Sequence, residues 1–207
     1  ERYHDEVVHR WNAPATEPLL SLDGRWVLFG TAATDLATNG IVGARNLFAQ
    51  DLTMERVVVA GTNYTRGAIL SANGRVVVWH HPVSWGIDFN ARLTDLLTLT
   101  NKSACTSCVN LALSADGTLL TYESVPVGSH QTQQVFVRDL RTGEARSACV
   151  PRIGNAPNGP SGSPQISGDG RYVVFASRAS NLVEYDTNGM SDVFDQVAGP
   201  TGKDHVA

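Results

Sequence analysis

The stretch Ser167-Gly-Asp-Gly-Arg-Tyr-Val-Val-Phe175 decides the fold, because its plan occurs four times in the chain. Ser21-Leu-Asp-Gly-Arg-Trp-Val-Leu-Phe29, Ser71-Ala-Asn-Gly-Arg-Val-Val-Val-Trp79 and Ser114-Ala-Asp-Gly-Thr-Leu-Leu-Thr-Tyr122 share it: a serine, Asp-Gly or Asn-Gly, a run of β formers and a closing aromatic. The turn residues Asp23, Asn73, Asp116 and Asp169 lie 50, 43 and 53 residues apart. Self-similarity at such a period marks a supersecondary unit that stacks on its neighbours. A second anchor runs out of phase with the first, for Asp51-Leu52, Asp95-Leu96 and Asp139-Leu140 recur at intervals of 44 and 44.

Asp-Gly or Asn-Gly between apolar β formers is the strongest short-range hairpin signal, so a type I′ turn with positive φ at both central residues is expected at each box. A short strand a precedes the turn (Leu19-Leu20, Ala68 to Leu70, Asn110 to Leu113, Gln165-Ile166) and a dense strand b follows it. Strand c leads into Asp-Leu (Asn46 to Gln50, Gln134 to Arg138), and strand d follows a turn such as Arg141 to Glu144. Four antiparallel strands in about 50 residues make a propeller blade. The expected fold is therefore all-β, a β-propeller with four recognisable four-stranded blades in repeats 11–62, 63–105, 106–150 and 151–207. Phe89, Leu93, Leu96 and Leu97 also fit helical spacing. Because Asn90 to Leu96 occupies the slot that Asn46 to Leu52 holds in the first repeat, strand is expected there.

Composition narrows the function classes. The 207 residues carry 16 Lys+Arg against 20 Asp+Glu, a net charge of −4. This leaves no basic footprint for nucleic acid or anionic lipid. Apolar runs are short, four residues at Val76 to Trp79, so no membrane-inserted helix is expected. Charged residues make up 17% of the chain, and its remaining polarity resides in Ser, Thr, Asn and Gly.

The segment from Ser167 to Phe194, with Asn188-Gly189 and Asp192-Val-Phe194 after the box, resembles the WD40-like, or PD40, repeat of TolB-type bacterial propellers. Residues 21–52 repeat it, with Asn39-Gly40 and Asn46-Leu-Phe48 in the matching places. The second repeat departs from the pattern, having Asn73 for Asp and no Leu-Phe before Asp95. The resemblance implies a propeller in an extracellular or periplasmic setting and brings no reaction with it. Residues 2–10 read as a displaced outer strand, in which Glu6 to Arg10 would complete the last blade and close a four-blade ring. The alternative is a four-blade part of a larger propeller, whose open blade edges invite self-association.

The candidate chemistry lies in the loops. Asp-Gly to Asp-Leu spacings of 28, 22 and 23, and again 28 to Val197 in the fourth repeat, put the extra residues in the b–c loops of repeats one and four. Those loops share a face with the d–a connectors, including Arg152 to Pro164, and insertions gathered on one face mark a binding side. Asp186, Asn188 and Asp192 place oxygens around a Gly-assisted turn as Ca²⁺ requires. The same residues also suit a loop whose Asx side chains bond their own backbone. His80 and His81 begin the b–c loop of repeat two, Trp85 lies in that loop, and His130 lies in the b–c loop of repeat three. These four are candidates for contact with a partner, although none has metal-ligand spacing, and the favoured reading of Trp85 is a lid over the core rather than a ligand platform.

Cys105-Thr-Ser-Cys108 lacks the four ligands of a zinc site and the helix of a redox motif. Cys149 is the repeat equivalent of Cys105 and is expected beyond disulfide reach of it. That leaves Cys105 to Cys108 as the one plausible internal bridge, with the choice between disulfide and free thiols open; if it forms, Cys149 is free or paired outside the chain. Gly159-Pro-Ser-Gly-Ser163 ends in Ser where a nucleophile elbow needs Gly. The leading expectation is a non-catalytic binding propeller for a protein, glycan or cell-envelope partner. The alternative is an accessory or gating propeller of a larger hydrolase, or a propeller hydrolase with its site at the central funnel.

Overall fold

The computed structural model describes residues 11–36, 45–64, 66–82, 89–124 and 132–198. The described residues form fifteen strands in four antiparallel sheets, each made from consecutive strands. Blade one contains β1 (Ala15–Leu20), β2 (Trp26–Thr31), β3 (Asn46–Asp51) and β4 (Arg56–Gly61). Blade two contains β5 (Ile69–Leu70), β6 (Val76–Pro82), β7 (Phe89–Asp95) and β8 (Thr100–Cys105). Blade three contains β9 (Cys108–Leu113), β10 (Leu119–Ser124), β11 (Gln134–Asp139) and β12 (Ala145–Ser147). Blade four contributes β13 (Ser161–Ile166), β14 (Tyr172–Ser177) and β15 (Asp192–Val197). The all-β propeller architecture is thus present, with three four-stranded blades and a fourth of three described strands. Among the described residues the sheets do not close on one another. The expected outer strand at 2–10 lies outside the described residues.

The segment that also fitted helical spacing is strand β7, which pairs with β6 from Val76↔Asp95 to Pro82↔Phe89. Leu93 of this strand is buried between blades two and three, while Leu96 and Leu97 lie in the turn that follows it, Leu96 buried between blades one and two and Leu97 exposed. Alternation along each b strand supplies both faces of a blade. Trp26 and Leu28 of blade one share a core with Val77 and Trp79 of blade two. Val76 and Val78 of blade two share the next with Leu120 and Tyr122 of blade three, and Val135 and Val137 of blade three meet Val173 and Phe175 of blade four in the last. The core therefore lies between blades, as three apolar layers, and no blade buries its faces alone.

The turn chemistry differs from the sequence expectation. Gly24, Gly74, Gly117 and Gly170 have φ of 71°, 66°, 72° and 69°, whereas the Asp or Asn before each stays out of the left-handed region. The loop is a four-residue connection built on a type I turn with one left-handed glycine. The Ser21 carbonyl accepts the Gly24 N–H at 2.9 Å, and the Ser21 N–H donates to Trp26 O at 2.9 Å. The acid acts through its side chain: Asp23 Oδ1 accepts the Ser21 hydroxyl at 2.5 Å and the Arg25 N–H at 3.1 Å. Ser21 Oγ in turn accepts the Trp26 N–H at 2.8 Å. The same Ser–Asx bond occurs in the other boxes at 2.6 to 2.7 Å.

The second anchor caps the c–d turn. Asp51 Oδ1 accepts the N–H groups of Thr53 and Met54, and its other oxygen pairs with Arg25 of the box at 2.8 Å. Asp95 repeats this with Leu97, Thr98 and Arg75. In blade three Thr118 replaces the box arginine, and Asp139 pairs with Arg141 of its own turn at 2.9 Å. In blades one and two the two out-of-phase anchors are therefore the two halves of one clasp.

Candidate functional site

The site is built where b strands end and a strands begin, on the b–c loop side. A backbone kink lies four residues before each box serine, within the a strand in blades one, three and four and just ahead of it in blade two: Glu17, Gly67, Asn110 and Ser163 have φ of 54°, 71°, 50° and 54°. In blades one, three and four the ladder shifts register there, the signature of a β-bulge, which re-aims side chains at the rim of a closed or curved sheet. Facing these kinks is one repeated position, the ninth after the box serine, held by Gly30, His80, Glu123 and Ala176.

Between blades one and two, Gly30 leaves space that Tyr64 and Arg45 fill; a Cβ at Gly30 would meet Tyr64 Cε1 at 2.7 Å. The Tyr64 hydroxyl donates to Glu17 and accepts the Ala68 N–H at 3.4 Å. The Arg45 guanidinium lies 5.0 Å over the Tyr64 ring and pairs with Glu17 at 3.4 Å. Burial, reinforced by the bond to Glu17, pushes the Tyr64 phenol up to about 12. Glu17 is lowered by that hydroxyl first and by Arg45 next.

Between blades two and three, His80 sits above Gly67, where a Cβ would stand 2.8 Å from its Nδ1. It hydrogen-bonds the backbone of Cys108 and Arg66, while burial lowers its pKa. Between blades three and four the same position is Glu123, only 3% exposed. Its Oε1 accepts from Asn110 Nδ2 at 2.8 Å and from Ser163 N at 2.5 Å, and its Oε2 accepts from Gln133 Nε2. This residue joins the kinks of two adjacent blades. Sequence reading missed Tyr64 and Glu123; the box register points to Glu123, and nothing local distinguishes Tyr64.

His80 and His81 were expected to open a loop and instead lie within β6, opposite Ala91 and Asn90. The apolar run simply continues its pairing past Trp79, and His81 stands 5.9 Å from the Trp79 ring. Trp85 and His130 lie outside the described residues. The Cys105–Cys108 disulfide is present, joining the end of β8 to the start of β9, and Cys149 is free and buried. Burial pushes the Cys149 thiol up. Ser161, in the Gly-Pro-Ser segment, is a buried β13 residue bonded to the Ser177 hydroxyl at 2.8 Å.

The loop of blade four between β14 and β15 is anchored at its base. Asn181 Nδ2 donates to the carbonyls of Ile153 and Ala156 at 2.9 and 2.8 Å, and its Oδ1 accepts the Asn158 N–H at 3.0 Å. Beyond that base Tyr185 and Met190 stand 91% and 68% exposed. Beside them Glu184, Asp186, Asn188 and Asp192 line a cavity of about 260 Å³. Asn188 Oδ1 accepts the Met190 N–H at 2.7 Å, which turns its Nδ2 toward both oxygens of Asp192, at 3.2 and 3.4 Å. Asp186 Oδ1 is buried and has no hydrogen-bond partner among the described residues.

No protein-family model and no curated protein matches this chain. Solved structures do. TolB from Acinetobacter baumannii is similar over 94% of this chain at 16% identity and a TM-score of 0.51, and the chain spans 43% of its length. The β-propeller domain of the Trilobed protease from Pyrococcus furiosus, described as having an open velcro topology, matches 95% of this chain at 13% identity and a TM-score of 0.55. The chain spans 57% of that structure. A prolyl endopeptidase matches 94% of this chain at 11% identity and a TM-score of 0.61, with 29% of its own length covered. The shared feature at these identities is the propeller fold.

Proposed function

We propose that this chain is a non-catalytic binding propeller that holds a protein partner on its b–c loop face, with Tyr185 and Met190 as the apolar contacts. The observation that carries the reading is their exposure on a loop whose base is pinned by Asn181. A large apolar side chain on a pre-ordered loop loses little entropy on binding, and tyrosine is enriched among the residues that dominate interfaces. The adjacent cavity, lined by Glu184, Asp186 and Asp192, suits a partner that sets a basic or donor group beside an apolar one. An extracellular or periplasmic setting is part of the proposal. It is supported by the Cys105–Cys108 disulfide, since such bonds persist in oxidising compartments, and by the likeness to TolB.

The test is affinity capture from a cell-envelope extract with the wild-type chain, Tyr185→Ser/Met190→Ser, and Leu22→Ser on the opposite face. A partner retained by the wild type and by Leu22→Ser but lost with the loop variant is the expected result. Capture that depends on Leu22 and ignores the loop would refute the proposal.

A further inference from the structure

Asparagine followed by glycine is open to self-modification, because the glycine N–H, unshielded by a side chain, can attack the asparagine amide carbon and close a five-membered succinimide. The chain has four such pairs: Asn39-Gly40, Asn73-Gly74, Asn158-Gly159 and Asn188-Gly189. The first lies outside the described residues, and the fold treats the other three differently. Gly74 is buried, its N–H donates to Ser71 O at 2.9 Å, and a Cβ there would meet Trp26 at 2.9 Å. The Asn73 side chain is held as well, accepting from Ser71 Oγ and Arg75 N and donating to Asp116 O. Gly159 is also buried, and packs so closely on the Arg178 backbone that a Cβ would stand 2.6 Å from it. Asn158 is tied through its N–H to Asn181 and through Nδ2 to Ser180. Neither glycine can swing its nitrogen onto the preceding side chain without disrupting the packing around it.

Asn188-Gly189 is the exception. Gly189 is exposed at a φ of 64°, nothing stands within 4 Å of where its Cβ would be, and its N–H makes no hydrogen bond among the described residues. The Asn188 amide is also polarised for attack, since the Met190 N–H donates to its Oδ1 at 2.7 Å, where negative charge develops as the tetrahedral centre forms. We propose that Asn188 is a deamidation site, at which the folded chain modifies itself. The Gly189 nitrogen bonds to Asn188 Cγ, the Cγ–Nδ2 bond breaks, and the Gly189 proton passes through solvent to the departing nitrogen, which leaves as ammonia. Water then opens the ring at Cγ to give aspartate, or at the Asn188 backbone carbonyl to give isoaspartate. Either product replaces the Nδ2 donor, which now bonds both oxygens of Asp192 at 3.2 and 3.4 Å, by a carboxylate. Like charges so close repel, so the clamp within this loop is released. Loss of a partner from Tyr185 and Met190 on modification rests on the proposed function; the chemistry at Asn188 does not.

Incubation of the folded 207-residue chain in neutral buffer, followed by peptide mapping with mass spectrometry and labelling by isoaspartyl methyltransferase, tests it. Asn188 should convert several-fold faster than Asn73 and Asn158, and in urea the three should convert at comparable rates, since folding is what separates them. Gly189→Ala should slow conversion several-fold, and Asn188→Gln, whose ring would have six members, should abolish it at that position, each with an unchanged β-sheet circular dichroism spectrum. Asn188→Asp, which carries one of the two products, should raise the hydrogen exchange of amides 183–192 above the wild type. A folded chain in which Asn188 keeps its amide, or converts no faster than Asn73 and Asn158, would overturn the proposal. Unchanged exchange in Asn188→Asp would overturn the release of the clamp. Conversion at Asn188 in a chain whose capture of a partner ignores Tyr185 and Met190 would refute the proposed function and leave the deamidation site standing.

Discussion

Asp51 is a carboxylate with no exposed surface, held by Arg25 and by the N–H groups of its own turn. Hydrogen bonding to Arg25 outweighs its burial, so its pKa lies well below the ordinary aspartate range. A lowered folded-state value means that its contribution is present above the unfolded value and is lost as pH falls through the folded one. Asp51→Asn is therefore expected to lower stability at neutral pH by about 2 kcal/mol, below the about 3 to 5 kcal/mol of a fully buried pair because Arg25 keeps 30% exposure. Its urea midpoint should also fall less steeply than that of the wild type on acidification below pH ~4. The blade-four loop gives a second residue-scale expectation. Asn188 already donates to both oxygens of Asp192, so EGTA at matched ionic strength should leave the melting temperature unchanged. A rise on adding Ca²⁺ would instead support the calcium reading of Asp186, Asn188 and Asp192.

Within the blades, the turn glycines separate backbone strain from crowding. Gly24 and Gly117 share a left-handed φ, but a Cβ at Gly24 meets nothing, whereas one at Gly117 would stand 2.8 Å from Val76. Gly24→Ala should cost about 1 kcal/mol for the strain, and Gly117→Ala about 3 kcal/mol once overpacking is added, both read from urea denaturation. These boxes were legible in the sequence because four copies of Ser-x-Asx-Gly carry their own register. Their turn type was not, since the same dipeptide serves a two-residue hairpin and a type I turn with one left-handed residue, and the serine that selects the second acts through Oγ across five positions. The a-strand kinks were hidden for a related reason: Glu17, Asn110 and Ser163 adopt positive φ without being glycine. The disulfide at the β8–β9 connection closes a loop of four residues, for which chain entropy gives about 2 kcal/mol. Cys105→Ser/Cys108→Ser should lower the melting temperature accordingly, and reductant should then have no further effect.

For the molecule as a whole, stability depends on neighbours, because each apolar layer is shared by two blades. Blades two and three are covered on both faces, so their amides are expected to exchange more slowly than those of β1, all of whose residues are exposed, and of β14; hydrogen exchange by mass spectrometry reads this directly. The number of blades and their strand order were legible from spacing alone. The junctions were not, because what crosses them is set by single residues, Tyr64, His80 and Glu123, that vary from repeat to repeat. The clasps behave differently: Arg25 with Asp51, Arg75 with Asp95 and Arg141 with Asp139 each begin and end inside one blade. A whole repeat can therefore be duplicated or lost at a d–a connector without severing one of these ion pairs, so such proteins can change length by recombination and need rebuild only the junction, its apolar layer and the few residues that cross its rim.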